Sequence, residues 1–204
     1  MRWGILILGF CLASVALAAD PVAKQQQPNI KRIAIEGEYV HPPSGMKFPD
    51  LIAQFRRSDI AQYDKAGDDV SAGYNLREPF RDVVGTVYVY PAKVFGQVAD
   101  PVEMQLALIK EVVIQQHKDG KLVSDGIARL QQGETVFTGK TARFTFTDKQ
   151  FFGGEDRLCS DLYLFQHGEW LIKYRFTYPD SQRDGVQKDI ANLMRDLKWP
   201  PRKK

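Results

Sequence analysis

Alternating apolar and polar residues predict that most of this chain is β-strand. The alternation is clearest between residues 170 and 178, where one face of the predicted strand carries five large apolar side chains. These are Trp170, Ile172, Tyr174, Phe176 and Tyr178. Residues 83–91 instead carry β-branched and aromatic side chains on both faces, which is typical of a central strand.

The N-terminal half predicts short strands joined by turns. Residues 32–41 alternate, and the run from Pro42 to Gly45 predicts a turn that reverses the chain. A strand within residues 52–64 is expected to bend near Ser58. Residues 70–76 then pair back across a turn.

The C-terminal half predicts an antiparallel meander. Residues 126–148 contain two or three strands, with turns expected at Gly133 and near Gly139. Residues 158–179 predict a hairpin that turns at His167 and Gly168.

Two segments change to a helical period. Residues 101–117 have an apolar stripe with Asp100 as the expected N-cap. A second stripe follows an expected cap at Asp180 or Ser181 and ends before Pro200. The two stripes consist of Val102, Leu106, Ile109 and Val113, and of Val186, Ile190, Leu193, Met194 and Leu197. Together the elements predict an α+β fold, a mostly antiparallel β-sheet with a middle helix and a C-terminal helix packed on it.

The first 18 residues have the pattern of a signal peptide. Arg2 precedes an apolar run over residues 3–12, and small residues lead to a predicted cleavage after Ala18. The run is shorter than the about 20 residues of a membrane-spanning helix. We therefore expect export, to the periplasm or the medium, with an uncleaved anchor as the alternative.

The remaining chain divides simply. Residues 19–31 are polar and unpatterned and predict a flexible leader, residues 32–200 predict a single α+β domain, and residues 201–204 form a basic tail.

Composition excludes two classes of protein. The chain has 28 Lys and Arg against 25 Asp and Glu, a formal net charge of +3, and the signs are interleaved. Nucleic-acid-binding proteins usually concentrate basic residues on one face, so we expect no nucleic-acid partner. Of the two cysteines, Cys11 lies in the predicted signal peptide. Cys159 then has no partner for an internal disulfide, which excludes a disulfide-stapled scaffold.

No residue pattern predicts an active site, a metal site or a cofactor. His41, His117 and His167 lack metal-ligand spacing. Cys159 would need an activating base, and His167, eight residues further along a predicted strand, lies too far away.

Two loops can be interpreted either as functional segments or as ordinary connections between strands. Residues 64–69, Asp-Lys-Ala-Gly-Asp-Asp, contain three carboxylates but lack the spacing of calcium ligands in an EF-hand loop. A hairpin turn is therefore favoured over a calcium site. Residues 151–157, Phe-Phe-Gly-Gly-Glu-Asp-Arg, form either a flap or an ordinary long loop.

A set of cations is the one candidate binding surface. Arg143, Lys173 and Arg175 each alternate with aromatic residues on predicted strands. We predict that they project from one side of the meander, as a surface for an acidic partner or for anionic lipid headgroups. The alternative is the ordinary solvent face of a half-buried sheet.

One stretch carries a family resemblance. Residues 39–76, YVHPPSGMKFPDLIAQFRRSDIAQYDKAGDDVSAGYNL, resemble the N-terminal hairpin of exported PsbP-like and DcrB-like domains. The same stretch is similar to uncharacterised bacterial secreted proteins with "QYD…DVS.GYN" in this place. The order that follows, with a middle helix, a long meander and a C-terminal helix ending in Leu-Lys-Trp, resembles these domains too.

The resemblance implies a binding or assembly factor and supplies no catalytic residues. We therefore expect an exported, non-enzymatic module for a protein partner in the envelope. The alternative is a hydrolase or ligand-processing enzyme, which would need a deep cleft joining a carboxylate to His41 or His167.

Overall fold

A computed structural model describes residues 30–201 except 96–98, 150 and 153–156. These residues form a large antiparallel sheet with two α-helices, so the predicted α+β fold class is confirmed. The predicted signal peptide, nearly all of the leader, the basic tail from residue 202 and most of the 151–157 loop lie outside the described residues. Within the described part, neither helix is long and apolar enough to cross a membrane.

The two helices and the longer strands follow one another in the predicted order, whereas the single strand predicted at residues 32–41 is divided into two short strands of different sheets. The elements are β1 (Lys31–Ile33), β2 (Tyr39–Val40), β3 (Lys47–Phe48), β4 (Leu51–Ile52), β5 (Phe55–Gln62), β6 (Val70–Glu78), β7 (Arg81–Pro91), α1 (Pro101–Gln116), β8 (Lys121–Gln132), β9 (Thr135–Thr147), β10 (Arg157–His167), β11 (Trp170–Pro179) and α2 (Arg183–Asp196). Short 3₁₀ turns at Ala92–Phe95 and Asp180–Gln182 follow β7 and precede α2.

The main sheet runs in the order β1-β5-β6-β7-β11-β10-β9-β8, with β4 added to β5. This order places β7 in the interior of the sheet, as its two apolar faces predict, and every residue from Val83 to Pro91 is buried. The two edges differ greatly in length. β1 has three residues, whereas β8 has twelve.

Each face of the sheet is covered by one helix. α2 packs Val186, Ile190 and Leu193 into a core with the large apolar side chains of β11, and we call this side the α2 face. α1 packs Val102, Leu106 and Val113 against Phe144 and Leu171 on the opposite side, the α1 face. Because side chains alternate along a strand, neighbouring residues of β11 lie on different faces of the sheet.

The proline-rich turn near the N-terminus is a structural corner. Gly45 has φ +74°, which glycine adopts without strain, and the His41 N–H donates to Met46 O over 2.8 Å. Met46 and Phe48 follow as fully buried side chains. The bend predicted near Ser58 is also confirmed, since the β5–β6 register shifts between Arg57 and Asp59.

Two further local predictions are wrong. No turn lies near Gly139, which sits inside β9 where the Phe165 ring crosses it closely; a Cβ there would lie 2.5 Å from Phe165 Cδ1. Neither Asp180 nor Ser181 caps α2. A 3₁₀ turn comes first, and Gln182 precedes the helix without a side-chain cap, because the Asp180 carboxylate instead bonds Arg183 and Cys159.

Candidate functional site

The structure separates the three cations that the sequence groups together. Arg143 lies opposite Asp161 of β10, and Asp161 lies opposite Phe176, which places Arg143 on the α2 face. Lys173 and Arg175 have the other parity on β11 and lie on the α1 face. The prediction that these residues project from one side is therefore wrong. The alternation within each strand was correct, but the register between strands puts Arg143 on the opposite side.

Arg143 belongs to a buried polar group that we call the Asp161 cluster, made of Arg143, Asp161, Tyr178 and Gln187. Asp161 is 2% exposed. Arg143 donates from Nε to Oδ1 over 2.6 Å and from Nη2 to Oδ2 over 2.8 Å. The Tyr178 hydroxyl donates to Oδ2 over 2.6 Å, and Gln187 Nε2 lies 3.4 Å from the same oxygen.

Two of the donors in the Asp161 cluster have raised pKa values. The hydrogen bond to Asp161 raises the pKa of Arg143, so the guanidinium stays charged. Burial, with Asp161 as a smaller cause, raises the pKa of Tyr178, so the phenol remains a neutral donor. Arg143, Tyr178 and Gln187 surround a carboxylate that is only 2% exposed. Asp161 therefore links β9, β10, β11 and α2 as a buried structural group, out of reach of a substrate in solution.

Lys173 and Arg175 also have protein neighbours on the α1 face. Lys173 Nζ lies 3.9 Å from the centroid of the Tyr88 ring, a cation–π arrangement. Arg175 Nε donates to Ser160 Oγ over 3.1 Å, and burial lowers the pKa of Arg175. Both cations are therefore half-buried against neighbouring side chains of the sheet.

Cys159 is not set up as a nucleophile. Its Sγ donates to Asp180 Oδ1 over 2.9 Å, and burial, followed by that hydrogen bond, raises the pKa of the thiol to about 11. His167 lies at the far end of β10, where Nε2 donates to Pro200 O over 2.7 Å. The separation of these two residues that the sequence predicts is confirmed, since Cys159 pairs with Tyr178 and His167 with Trp170.

His41 joins the proline corner to the acidic turn. Its Nε2 donates to Gly67 O over 2.7 Å, and its Nδ1 lies 2.7 Å from Ser44 Oγ. Within the turn, Asp64 Oδ1 accepts from Gly67 N over 2.8 Å. Across the described ranges, no three His, Cys, Asp or Glu side chains lie close enough together to hold a metal ion.

A surface cleft lies beside β1 and the bulge of β5. It is lined by residues 32–36 and 57–60 with Asp50, and neither His41 nor His167 reaches it. Four of its charged groups form two pairs, since Arg32 contacts Asp59 and Arg57 Nη2 donates to Asp50 Oδ1 over 2.5 Å. The cleft therefore lacks the carboxylate–histidine pair that the enzymatic alternative needs.

The open edge of the sheet at β8 is the feature that the sequence analysis missed. Nine of the twelve residues of β8 are exposed, and Ile127 is 66% exposed in the middle of the strand. β9 pairs along the inner side of β8, and no strand within the described residues pairs along its outer side. The available signal was weak, because residues 121–132 mix charges, glycine and single apolar residues without a clear period.

Charges flank the exposed isoleucine on the α1 face. Asp125, Ile127 and Arg129 share this face, because they lie opposite Ala142, Lys140 and Thr138 of β9. Asp125 pairs with Lys110 of α1. Arg129 is exposed and forms no salt bridge with any residue that the structure describes.

Comparisons with known proteins add a fold likeness. No family model and no curated protein matches the chain. Among solved structures, it is similar to PA94 from Pseudomonas aeruginosa, a protein of unknown function described as a candidate regulator. The match has 13% sequence identity and a TM-score of 0.50, and covers 74% of this chain and 99% of that chain. At this identity the likeness concerns the fold alone.

Proposed function

We propose that this chain is an exported, non-enzymatic binding module whose open β8 edge receives an extended segment of a protein partner. The observation that carries the proposal is the length and exposure of this edge. A twelve-residue strand presents a row of backbone N–H and C=O groups over about 40 Å. Extended segments bind such rows by adding a strand to the sheet.

The contrast between the two edges supports a role for β8. Soluble proteins usually protect sheet edges with short strands, proline or bulges, because open edges pair with other chains. The β1 edge follows this rule with three residues. β8 contains no proline, and its bulge lies near its start, between Leu122 and Ser124. Residues 124–132 are thus left regular and able to pair.

The side chains of β8 define the chemistry of a fitting segment. On the α1 face, a partner strand would meet Ile127 between a carboxylate and a guanidinium. On the α2 face it would meet Gly126, where a Cβ would have no neighbour within 4 Å. An extended segment with one central apolar residue flanked by opposite charges matches this pattern, since opposite-charge and apolar cross-strand pairs stabilise a sheet.

The polar groups elsewhere support a role without catalysis. The Cys159 thiol has a raised pKa, His167 lies at the far end of the same strand, and the Asp161 carboxylate is held by Arg143 and Tyr178. A nucleophile or general base must lie within reach of its substrate, and all three of these side chains are buried. Export rests on the sequence of the first 18 residues alone.

Site-specific photo-crosslinking in the producing cell tests the proposal. A photoreactive phenylalanine analogue replaces Ile127 in one variant and Leu51 in the control. Leu51 is 57% exposed on β4, which pairs with β5 near the opposite edge of the sheet from β8. We expect a covalent protein adduct from position 127 and none from position 51. Adducts from both positions in equal yield, or from position 51 only, would overturn the proposal, as would the lack of any adduct at position 127.

A further inference from the structure

We infer that the protein segment received by the β8 edge is the β8 strand of a second copy of this chain, paired antiparallel about a two-fold axis at Ile127. This inference rests on the proposed function and names its partner. Identical chains most often associate through such two-fold contacts, in which residue i of one copy meets residue j of the other and the reverse also holds.

The charges select the register. When Ile127 lies opposite its own copy, Asp125 lies opposite Arg129 of the second copy, and Arg129 opposite the second Asp125. A shift of the axis to residue 125 would set Asp125 against itself, and a shift to residue 129 would set Arg129 against itself. Opposite charges directly across a strand pair stabilise it, whereas like charges destabilise it. The register at Ile127 therefore yields two attractive pairs.

The backbone of β8 fits the same register. Pairing about Ile127 joins residues 124–130 of the two copies, and this segment begins directly after the bulge between Leu122 and Ser124. On the α2 face Gly126 would lie opposite Ala128, and a Cβ at position 126 would find no neighbour within 4 Å in the single chain. Two small residues thus meet where the backbones approach each other.

Pairing also gives partners to groups that one copy leaves exposed. Ile127, at 66% exposure, would contact its own copy across the seam. Arg129, which forms no salt bridge with any described residue, would gain a carboxylate. Asp125 already contacts Lys110, so the seam would hold two Lys110–Asp125–Arg129 arrangements, each with one carboxylate between two cations of different copies.

A charge-exchange experiment tests this register. The variants Asp125→Arg and Arg129→Asp each place like charges across both pairs of the two-fold seam. Mixing the two variants in equal amounts restores opposite charges in the mixed dimer, and so does the double variant Asp125→Arg/Arg129→Asp. Self-association is measured by sedimentation over a concentration series up to about 100 μM, because interfaces at the small end of the range associate weakly. Thermal melts by circular dichroism check that each variant is folded.

The expected result is a concentration-dependent dimer for the wild type and at least about a tenfold weaker association for each single variant. The mixture and the double variant should return to within about threefold of the wild-type dissociation constant. A wild type that stays monomeric over the whole series, or single variants that associate as well as the wild type, would overturn the inference. If the wild type stays monomeric and position 127 still crosslinks to a different protein, the partner is not a second copy of this chain. The homodimer inference would then be wrong, whereas the proposed function would be retained.

Discussion

Arg143 and Asp161 face each other across β9 and β10 and share two hydrogen bonds, from Nε to Oδ1 over 2.6 Å and from Nη2 to Oδ2 over 2.8 Å. Bidentate pairs of this kind are the strongest hydrogen-bonded ion pairs in proteins. The Asp161 side chain is 3% exposed and the Arg143 side chain 26%. Arg143, which the sequence analysis assigned to an exposed binding surface, is thus paired with a buried carboxylate.

The first prediction concerns this pair. Asp161→Asn removes the charge that compensates Arg143, and breaking a buried ion pair costs about 3–5 kcal/mol. Because Arg143 keeps some access to solvent, we expect the lower end, about 3 kcal/mol. The matched control is Glu38→Gln, which removes the exposed partner of Lys47 and should cost at most about 1 kcal/mol. Urea unfolding monitored by tryptophan fluorescence measures both, and equal losses would contradict the assignment of a buried pair.

The second prediction concerns two glycines of neighbouring strands. Gly139→Ala places a Cβ against the Phe165 ring and the Leu164 carbonyl, and overpacking of this kind costs about 1–3 kcal/mol. Gly126→Ala on β8 meets open space, and should leave the free energy of unfolding unchanged or raise it by about 0.5 kcal/mol, since alanine loses less backbone entropy than glycine. The same unfolding experiment compares them. A harmless Gly139→Ala would mean that β9 does not approach Phe165 as closely as described.

The third prediction concerns the reactivity of Cys159. A rise of its pKa from 9.0 to about 11 reduces the thiolate fraction at pH 8 by about 100-fold, and the thiolate is the reacting form. With Cys11 replaced by Ser, alkylation of the native protein should be at least this much slower than alkylation of the unfolded chain.

The stability of the protein should respond to the same thiol. Because the folded-state pKa is raised, the protonated thiol adds stability that is complete below about pH 9 and is lost as the pH rises through about 11. Cys159→Ala should lose less stability than the wild type between pH 9 and 11. Equal labelling rates in the folded and unfolded chains, or an identical pH response of the variant, would contradict a buried protonated thiol.

The sequence predicted the fold well wherever one residue pattern decided the outcome. The alternation from Trp170 to Tyr178 and the apolar residues on both faces of β7 correctly predicted their burial, because burial acts on each strand separately. The helix at Pro101–Gln116 begins as predicted, with Asp100 Oδ1 accepting from Glu103 N over 2.9 Å.

The errors arose where the outcome depends on two strands at once. Arg143 lies on the α2 face because of the β9–β10 register, and this register cannot be predicted from the residues of either strand alone. Gly139 is a site of close approach to Phe165, which is 26 residues further along the chain, so its role is invisible locally. The position of β8 at the edge follows from the strand order, which the sequence did not give.

Residue-resolved amide hydrogen exchange along β8 tests the proposed binding edge most directly. It is measured on the dilute protein and on the complex captured through position 127. We expect the alternate amides of residues 124–130 that point away from β9 to exchange rapidly in the dilute protein and at least about tenfold more slowly in the complex. The amides that point toward β9 should be protected in both. Unchanged exchange along β8, with new protection at β1 or in the loops instead, would show that the partner does not bind at the β8 edge.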